Sequence, residues 1–119
     1  MVDVVPNHVA PVGHDYSSIM PFNREEHFHP ECEMGEDQWS KENCRLSGLP
    51  DLAQENAFVK DYLKNNYVTE LVKKYSFDAI RMDAVGHVPK WFWREFSQSP
   101  GIFQVGECFN GMSDFVGDY

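Results

Sequence analysis

Apolar and polar residues alternate along Phe77-Asp78-Ala79-Ile80-Arg81-Met82-Asp83. In an extended strand, residues two apart share a face. Phe77, Ala79, Arg81 and Asp83 therefore line one side, and Asp78, Ile80 and Met82 the other. The first side runs from apolar to charged, as a strand does when its carboxyl end opens into a polar cleft. An Arg two residues before an Asp on one face keeps that Asp ionised and fixes its position. A purely structural Arg–Asp pair fits this stretch equally well, since ion-pair networks also perturb titration.

The rest of the pattern builds outward from that strand. Val2-Asp3-Val4-Val5 is a short β-branched run stopped by Pro6, so it reads as a buried strand delivering Asn7 and His8 to a loop. Between residues 10 and 53 no long period survives, and Pro11, Gly13, Pro21, Pro30, Gly35, Gly48 and Pro50 punctuate the chain. A long structureless loop is uncommon inside a compact domain, so this segment is expected to be a small irregular inserted domain. From Glu55 to Tyr75, Phe58, Val59, Tyr62, Leu63, Leu71, Val72 and Tyr75 recur at helical spacing, with Lys73 and Lys74 complementing the helix dipole at the end. Pro89 suits a first helical position, and Lys90 to Phe96 make a short helix. Gly101 to Glu107 is a third strand whose apolar row, Phe103 and Val105, again ends in a carboxylate. Cys108 to Tyr119 reads as a Gly- and Asp-rich loop.

Strand, insertion, helix, strand, helix, strand is the alternation of βα units and a parallel sheet. The expected division is a strand at 1–9, an inserted domain at 10–53 and βα units at 54–119. Polar groups gather at each strand's carboxyl end: Asn7 and His8, then Arg81 and Asp83, then Glu107. That end is the catalytic face of a (β/α) barrel. An open doubly wound sheet also binds ligands there, but no Gly-rich phosphate loop occurs.

Composition narrows the partners. The chain has 119 residues, 42% of them apolar and 14% aromatic, which excludes a disordered or collagen-like chain and suits one small domain. A formal net charge of -9 argues against a nucleic-acid backbone and suits a neutral or cationic ligand, or simple solubility. No apolar run approaches the roughly 20 residues of a membrane span. No signal peptide is visible, and a chain that opens inside a strand is expected to be a fragment of something longer. The three cysteines leave one thiol unpaired if two of them bond. A Cys32–Cys44 bridge implies an oxidising compartment, and three buried thiols imply the cytosol. Four histidines, His8, His14, His27 and His29, raise a zinc site, but no H-E-x-x-H or C-x-x-C spacing supports it.

Asp83 and Glu107 form the candidate pair. Two carboxylates on neighbouring strand ends suit glycosidic cleavage, in which one stays ionised as nucleophile and the other holds a proton as general acid. Arg81 lowers the pKa of Asp83, whereas Glu107, after Val105 and Gly106, is expected in apolar surroundings that raise its own. Two unrelated surface carboxylates would give the same periodicity.

DVVPNH (3–8), LPDL (49–52), FDAIRMDAVGH (77–87) and GIFQVGE (101–107) together resemble four ordered motifs of the α-amylase family of glycoside hydrolases, most of all its fungal-type secreted members. HFHPEC (27–32) and ENC (42–44) are similar to that family's small inserted domain. The resemblance implies a partial (β/α)8 barrel, its third to fifth strands, in an α/β fold. It implies Asp83 as nucleophile, Glu107 as general acid/base, Arg81 orienting Asp83, and His8 and His87 bonding sugar hydroxyls. It implies a structural Ca²⁺ held by the side chains of Asn7 and Asp51 and the main-chain carbonyls of Glu42 and His87, an all-oxygen set suited to a hard cation. It also implies a Cys32–Cys44 disulfide, secretion, and a protein monomeric at full length that cleaves α-1,4-glucosidic bonds in starch, glycogen or related α-glucans. A transglycosylase or α-glucosidase of the same superfamily and a non-catalytic calcium- or carbohydrate-binding remnant are the alternatives. Two departures stand out. Gly86 occupies a position where many starch-cleaving members carry a lysine on the leaving-group side, and Cys108 follows the acid/base directly. The family's third carboxylate, an aspartate, lies beyond the last strand read here, so the isolated chain is expected to be inactive. With two open strand edges it is also expected to aggregate or remain molten.

Overall fold

Three short strands, β1 (Val2–Val4), β2 (Ala79–Met82) and β3 (Phe103–Gly106), pair in parallel in the order β1-β2-β3 in the computed structural model, which describes residues 1–10, 13 and 15–119. Pro11, counted above among the punctuating residues, and His14, counted among the histidines, lie outside the described residues. Opposite residues in the ladder share a face. Asp3 pairs with Arg81 and Arg81 with Val105, so these three form one row across the sheet. Val4, Ile80 and their neighbours face the other way, and both are fully buried. That second face carries the core, which includes Val59, Leu63, Val68, Phe92 and Phe96 from the flanking helices. On the Asp3–Arg81 face, Phe103 and Val105 are exposed.

The predicted long helix is present and is interrupted. It begins at α2 (Ala57–Asp61), winds through a π segment at Tyr62–Val68 and ends as α3 (Thr69–Tyr75). It starts two residues after Glu55 because the Asn56 side chain caps it, accepting from the amides of Phe58 and Val59. In the wider π turns the Thr69 hydroxyl donates to the carbonyl of Lys64 at 2.7 Å, five residues back. Ser76 closes the helix in the left-handed conformation (φ 55°), so Phe77 and Asp78 are used in the turn and β2 begins only at Ala79. Helix α4 (Lys90–Phe96) covers the predicted residues, with Pro89 as its cap and Phe92, Trp93 and Phe96 buried.

Between β1 and α2 the chain holds more regular structure than its pattern shows. A 3-10 turn at Glu25–His27, the helix α1 (Gln38–Asn43) and a 3-10 turn at Leu46–Gly48 punctuate it. Asp37 caps α1 through the Ser40 amide at 2.9 Å. Six residues are too few for a helical period to show in sequence. An isolated bridge from His8 to Asp51 pins the segment to the chain just after β1, and another, Phe28 to Leu52, closes the segment on itself. The tail expected to be a loop contains a further helix, α5 (Ser113–Gly117), whose sequence trace is the i, i+4 ring contact of Phe115 with Tyr119.

Cys32 and Cys44 are disulfide-bonded and Cys108 is free. The bridge closes a loop with a sequence separation of 12. In the chain-entropy account, closing a loop of this length is worth about 3 kcal/mol. Reducing the bridge in the full-length protein should lower its unfolding free energy by that amount, read by denaturant titration. Peptide mapping without reductant should return the 32–44 bridge and an alkylated Cys108. A mixed bridge through Cys108 would contradict the assignment.

Candidate active site at the strand ends

Arg81 is the hub of the polar end of the sheet. Its Nη1 donates to both carboxylate oxygens of Asp3, at 3.0 and 2.8 Å, and to Asp83 Oδ1 at 2.8 Å. Its Nη2 lies 3.7 Å from Glu107 Oε2. Hydrogen bonds to Asp3 first, then Asp83, hold its pKa above the ordinary value. One guanidinium therefore gathers carboxylates from β1 and from the ends of β2 and β3. Asp3 is absent from the sequence-predicted set. Its signal was a lone acid inside a β-branched run, on the face that the register aligns with Arg81.

Past β2 the chain turns sharply. Ala84 adopts φ 53°, a left-handed conformation that an L side chain occupies only at a cost. The turn aims the Ala84 amide at Glu107 Oε2, 3.0 Å away, while the Val85 amide donates to the Glu107 carbonyl at 3.0 Å. The Glu107 amide donates to the Met82 carbonyl at 2.8 Å, extending the β2–β3 ladder by one step. From behind, the indole of Trp93 donates to the Val85 carbonyl at 2.9 Å. Glu107 thus sits among polar partners, an amide and a guanidinium, and not in the apolar surroundings expected from Val105 and Gly106. Those two neighbours flank its backbone, while the turn from the adjacent strand meets its side chain.

The two histidines lie beside the carboxylates. Burial first, then the charge of His87, lowers the pKa of His8 against the opposing pull of Asp83, which favours the neutral imidazole. His87 Nδ1 lies 3.2 Å from the Lys41 carbonyl and donates to it, since a carbonyl only accepts. A cavity of about 360 Å3 opens at this end, lined among others by Lys41, Asp83, Gly86, His87, Glu107 and Phe109. A larger cavity of about 570 Å3, lined by His8, Met20, Leu63 and Tyr67 among others, contains no carboxylate among the described residues. The smaller one brings together both candidate carboxylates and His87, while His8 lines the larger.

Behind His8, a second cluster forms. The inward end of the Asn7 amide is 2.7 Å from the His87 carbonyl oxygen and 3.3 Å from Asp51 Oδ1. With the amide nitrogen inward, hydrogen bonds satisfy the cluster. With the oxygen inward, three oxygens converge on one point, the donor set a hard cation takes. Asn7 and Asp51 are almost completely buried. Asp51 Oδ2 also accepts from His29 Nδ1 at 2.6 Å, and His29 Nε2 faces Glu55 at 3.0 Å. Burial raises Asp51 to about 6 against the pull of His29. His29 rises too, because Asp51 and Glu55 together outweigh its burial, so this pair retains a proton near neutrality. The Glu42 side chain turns away, accepting from Gln38 at 2.7 Å. The carbonyl before it, on Lys41, is the one bonded to His87. Among the described residues, no group of three or more His, Cys, Asp and Glu side chains could hold a metal.

Two carboxylates at parallel strand ends facing one cavity are the residue types glycoside cleavage uses. Comparison with known proteins narrows the class. No family model matches the chain. The α-amylase mde5 of Schizosaccharomyces pombe is 36% identical over 96% of this chain and 24% of its own length. An α-amylase from Malbranchea cinnamomea superposes with a TM-score of 0.88 at 36% identity, covering 95% of this chain and 26% of that one. An α-amylase from Geobacillus thermoleovorans, solved with acarbose, also superposes at 0.88 and 36% identity, covering 98% and 27%. The chain belongs to the α-amylase family of glycoside hydrolases and spans about a quarter of the length of such relatives.

The turn that carries the site has little room to spare. A Cβ on Gly106 would meet Val85 Cγ2 at 2.8 Å. Val85 is buried, β-branched and tied to Trp93, so it cannot swing aside freely. Gly106→Ala should cost about 1–3 kcal/mol of stability by chemical denaturation, the range for overpacking. Unchanged stability would mean that the turn is looser than described.

Proposed function

We propose that the chain is the nucleophile-and-acid segment of a retaining endo-hydrolase of α-1,4-glucosidic bonds in starch, glycogen or related α-glucans. The observation that carries the reading is Arg81 joined to Asp83 and facing Glu107. Asp83 Oδ1 is taken by Arg81, so Oδ2 is the oxygen left for the anomeric carbon. Glu107 Oε2 is taken by Ala84, so Oε1 is left to carry the proton to the leaving oxygen. Water then attacks the glycosyl-enzyme with Glu107 acting as base, and the second inversion restores the α configuration. His8 and His87 bond the sugar hydroxyls beside the cleaved bond. This chemistry needs the two carboxyl groups roughly 5–5.5 Å apart. Parallel strands spaced about 4.8 Å apart bring adjacent strand ends to that range.

The same reading makes these strands the third to fifth of a (β/α)8 barrel. The exposed Phe103 and Val105 then point into the barrel interior, where layers of side chains from other strands would cover them. The inserted domain is residues 10–53. Ca²⁺ is the ion for the oxygen cluster, held by Asn7, Asp51 and the carbonyls of Glu42 and His87. When bound it would supply a fixed tie between the insertion and the strand ends. The Cys32–Cys44 bridge favours an oxidising, extracellular setting. No described helix is long and apolar enough to cross a membrane.

Two expected outcomes test this. In the full-length enzyme, Asp83→Asn should stay folded and lose activity by several orders of magnitude, and proton NMR should find the α-anomer first among the products. A β-anomer appearing first, or an active Asp83→Asn enzyme, would remove Asp83 as nucleophile. Chelation with EDTA should lower the melting temperature, and calcium should restore it. Asp51→Ala should abolish that difference. Equal melting temperatures in EDTA and calcium would leave the cluster a hydrogen-bonded one.

A further inference from the structure

We propose that Asn110, in the loop leading from Glu107 to α5, is a site of spontaneous covalent modification that lengthens the wall of the catalytic cavity and ends activity. Its peptide bond with Gly111 passes through a cyclic imide to aspartate and isoaspartate. Among the asparagines of the chain, Asn110 alone is followed by glycine; the others precede His8, Arg24, Cys44, Ala57, Asn66 and Tyr67. The following residue matters because its backbone nitrogen is the nucleophile, and a side chain there crowds the approach to the amide carbon. Gly111 is exposed, has no Cβ, and has open space within 4 Å of where one would stand. Its backbone is therefore free to turn toward the side chain.

The Asn110 side chain is already folded back. The Met112 amide donates to Asn110 Oδ1 at 2.8 Å, which closes a ring containing both Cγ and the Gly111 nitrogen. The same bond draws electron density from Cγ and stabilises the negative charge that Oδ1 gains during attack. In the step itself, the Gly111 nitrogen bonds to Cγ and the Cγ–Nδ2 bond breaks. The proton lost from the nitrogen ends on the ammonia that leaves. Water then opens the imide. Cleavage of the new bond gives aspartate, and cleavage of the main-chain bond gives isoaspartate, whose backbone is one methylene longer. Phe109 and Asn110 line the cavity shared by Asp83 and Glu107. The Asn110 amide donates at 2.9 Å to the carbonyl of Cys108, the residue next to Glu107. A longer backbone and an added negative charge thus arise in the wall of that cavity. The loss of activity rests on the hydrolase reading above, and the modification does not.

The test ages the full-length protein in mildly alkaline buffer and follows it by peptide mass spectrometry. The peptide carrying Asn110 should gain the mass difference between an amide and an acid and split into aspartyl and isoaspartyl forms. Initial kcat/KM on maltoheptaose should fall in step with the isoaspartyl fraction. Gly111→Ala suits the backbone, which lies outside the left-handed region there and has room for a Cβ. That variant should begin with wild-type activity, modify several-fold more slowly and keep its activity over the same period. An intact Asn110 in the aged protein, an aspartyl product without the isoaspartyl one, or an equal rate in Gly111→Ala overturns the inference. Isoaspartate that accumulates while activity holds overturns its functional part. A fresh enzyme inert on maltoheptaose instead removes the hydrolase reading, and the peptide masses still decide the modification.

Discussion

Three carboxylates on three adjacent parallel strands repel one another unless a cation lies among them. Arg81 is that cation. Its planar fork serves Asp3 and Asp83 by direct hydrogen bonds and reaches toward Glu107 at longer range. The unequal distances set the two central acids apart. The one bonded directly, Asp83, has an oriented oxygen. The other is held mainly by a backbone amide and keeps an oxygen free. Asp3 completes the balance by fixing the guanidinium from the far side, so that Arg81 need not rotate to follow either acid. A lysine would carry the same charge but not the planar fork in which Nη1 bonds Asp3 and Asp83 while Nη2 faces Glu107.

Packing behind the sheet is what aims this cluster. Trp93 is buried on α4 and holds the Val85 carbonyl, and Val85 rests against Gly106, which has no Cβ to resist it. The left-handed turn at Ala84 is the outcome, and its amide is thereby directed at Glu107. The strain at Ala84 is local, and a buried hydrogen bond and apolar packing hold it, so the site draws its geometry from the core and not from the solvent-exposed loops.

Much of this was legible in sequence because it obeys simple periods. The alternation around Arg81 placed it on one face with Asp83, and helix α4 followed from Pro89 and a dense aromatic run. What escaped the sequence was set by tertiary context. Asp3 belongs to the site only because the β1–β2 register puts it opposite Arg81. Glu107 meets an amide because the Ala84 turn comes from a different strand, so its sequence neighbours misreport its surroundings. Helices α1 and α5 are too short for any period to announce them, and the π segment preserves helical spacing closely enough to pass as ordinary helix. The Asn7–Asp51–His87 cluster was reachable only through the resemblance, since its members are far apart in sequence and one of them contributes a carbonyl.

The Asp3–Arg81 contact joins residues 78 positions apart, and those tying α1 to the turn after β2 join residues 46 and 48 apart. Contacts so distant along the chain form only after large loops have closed, and loop closure costs entropy before any contact offsets it. The helices, built from neighbours, need no such closure. The Arg81 carboxylate cluster is therefore expected among the last parts of this segment to assemble. A chain arrested early in folding would have its helices in place and its two acids apart.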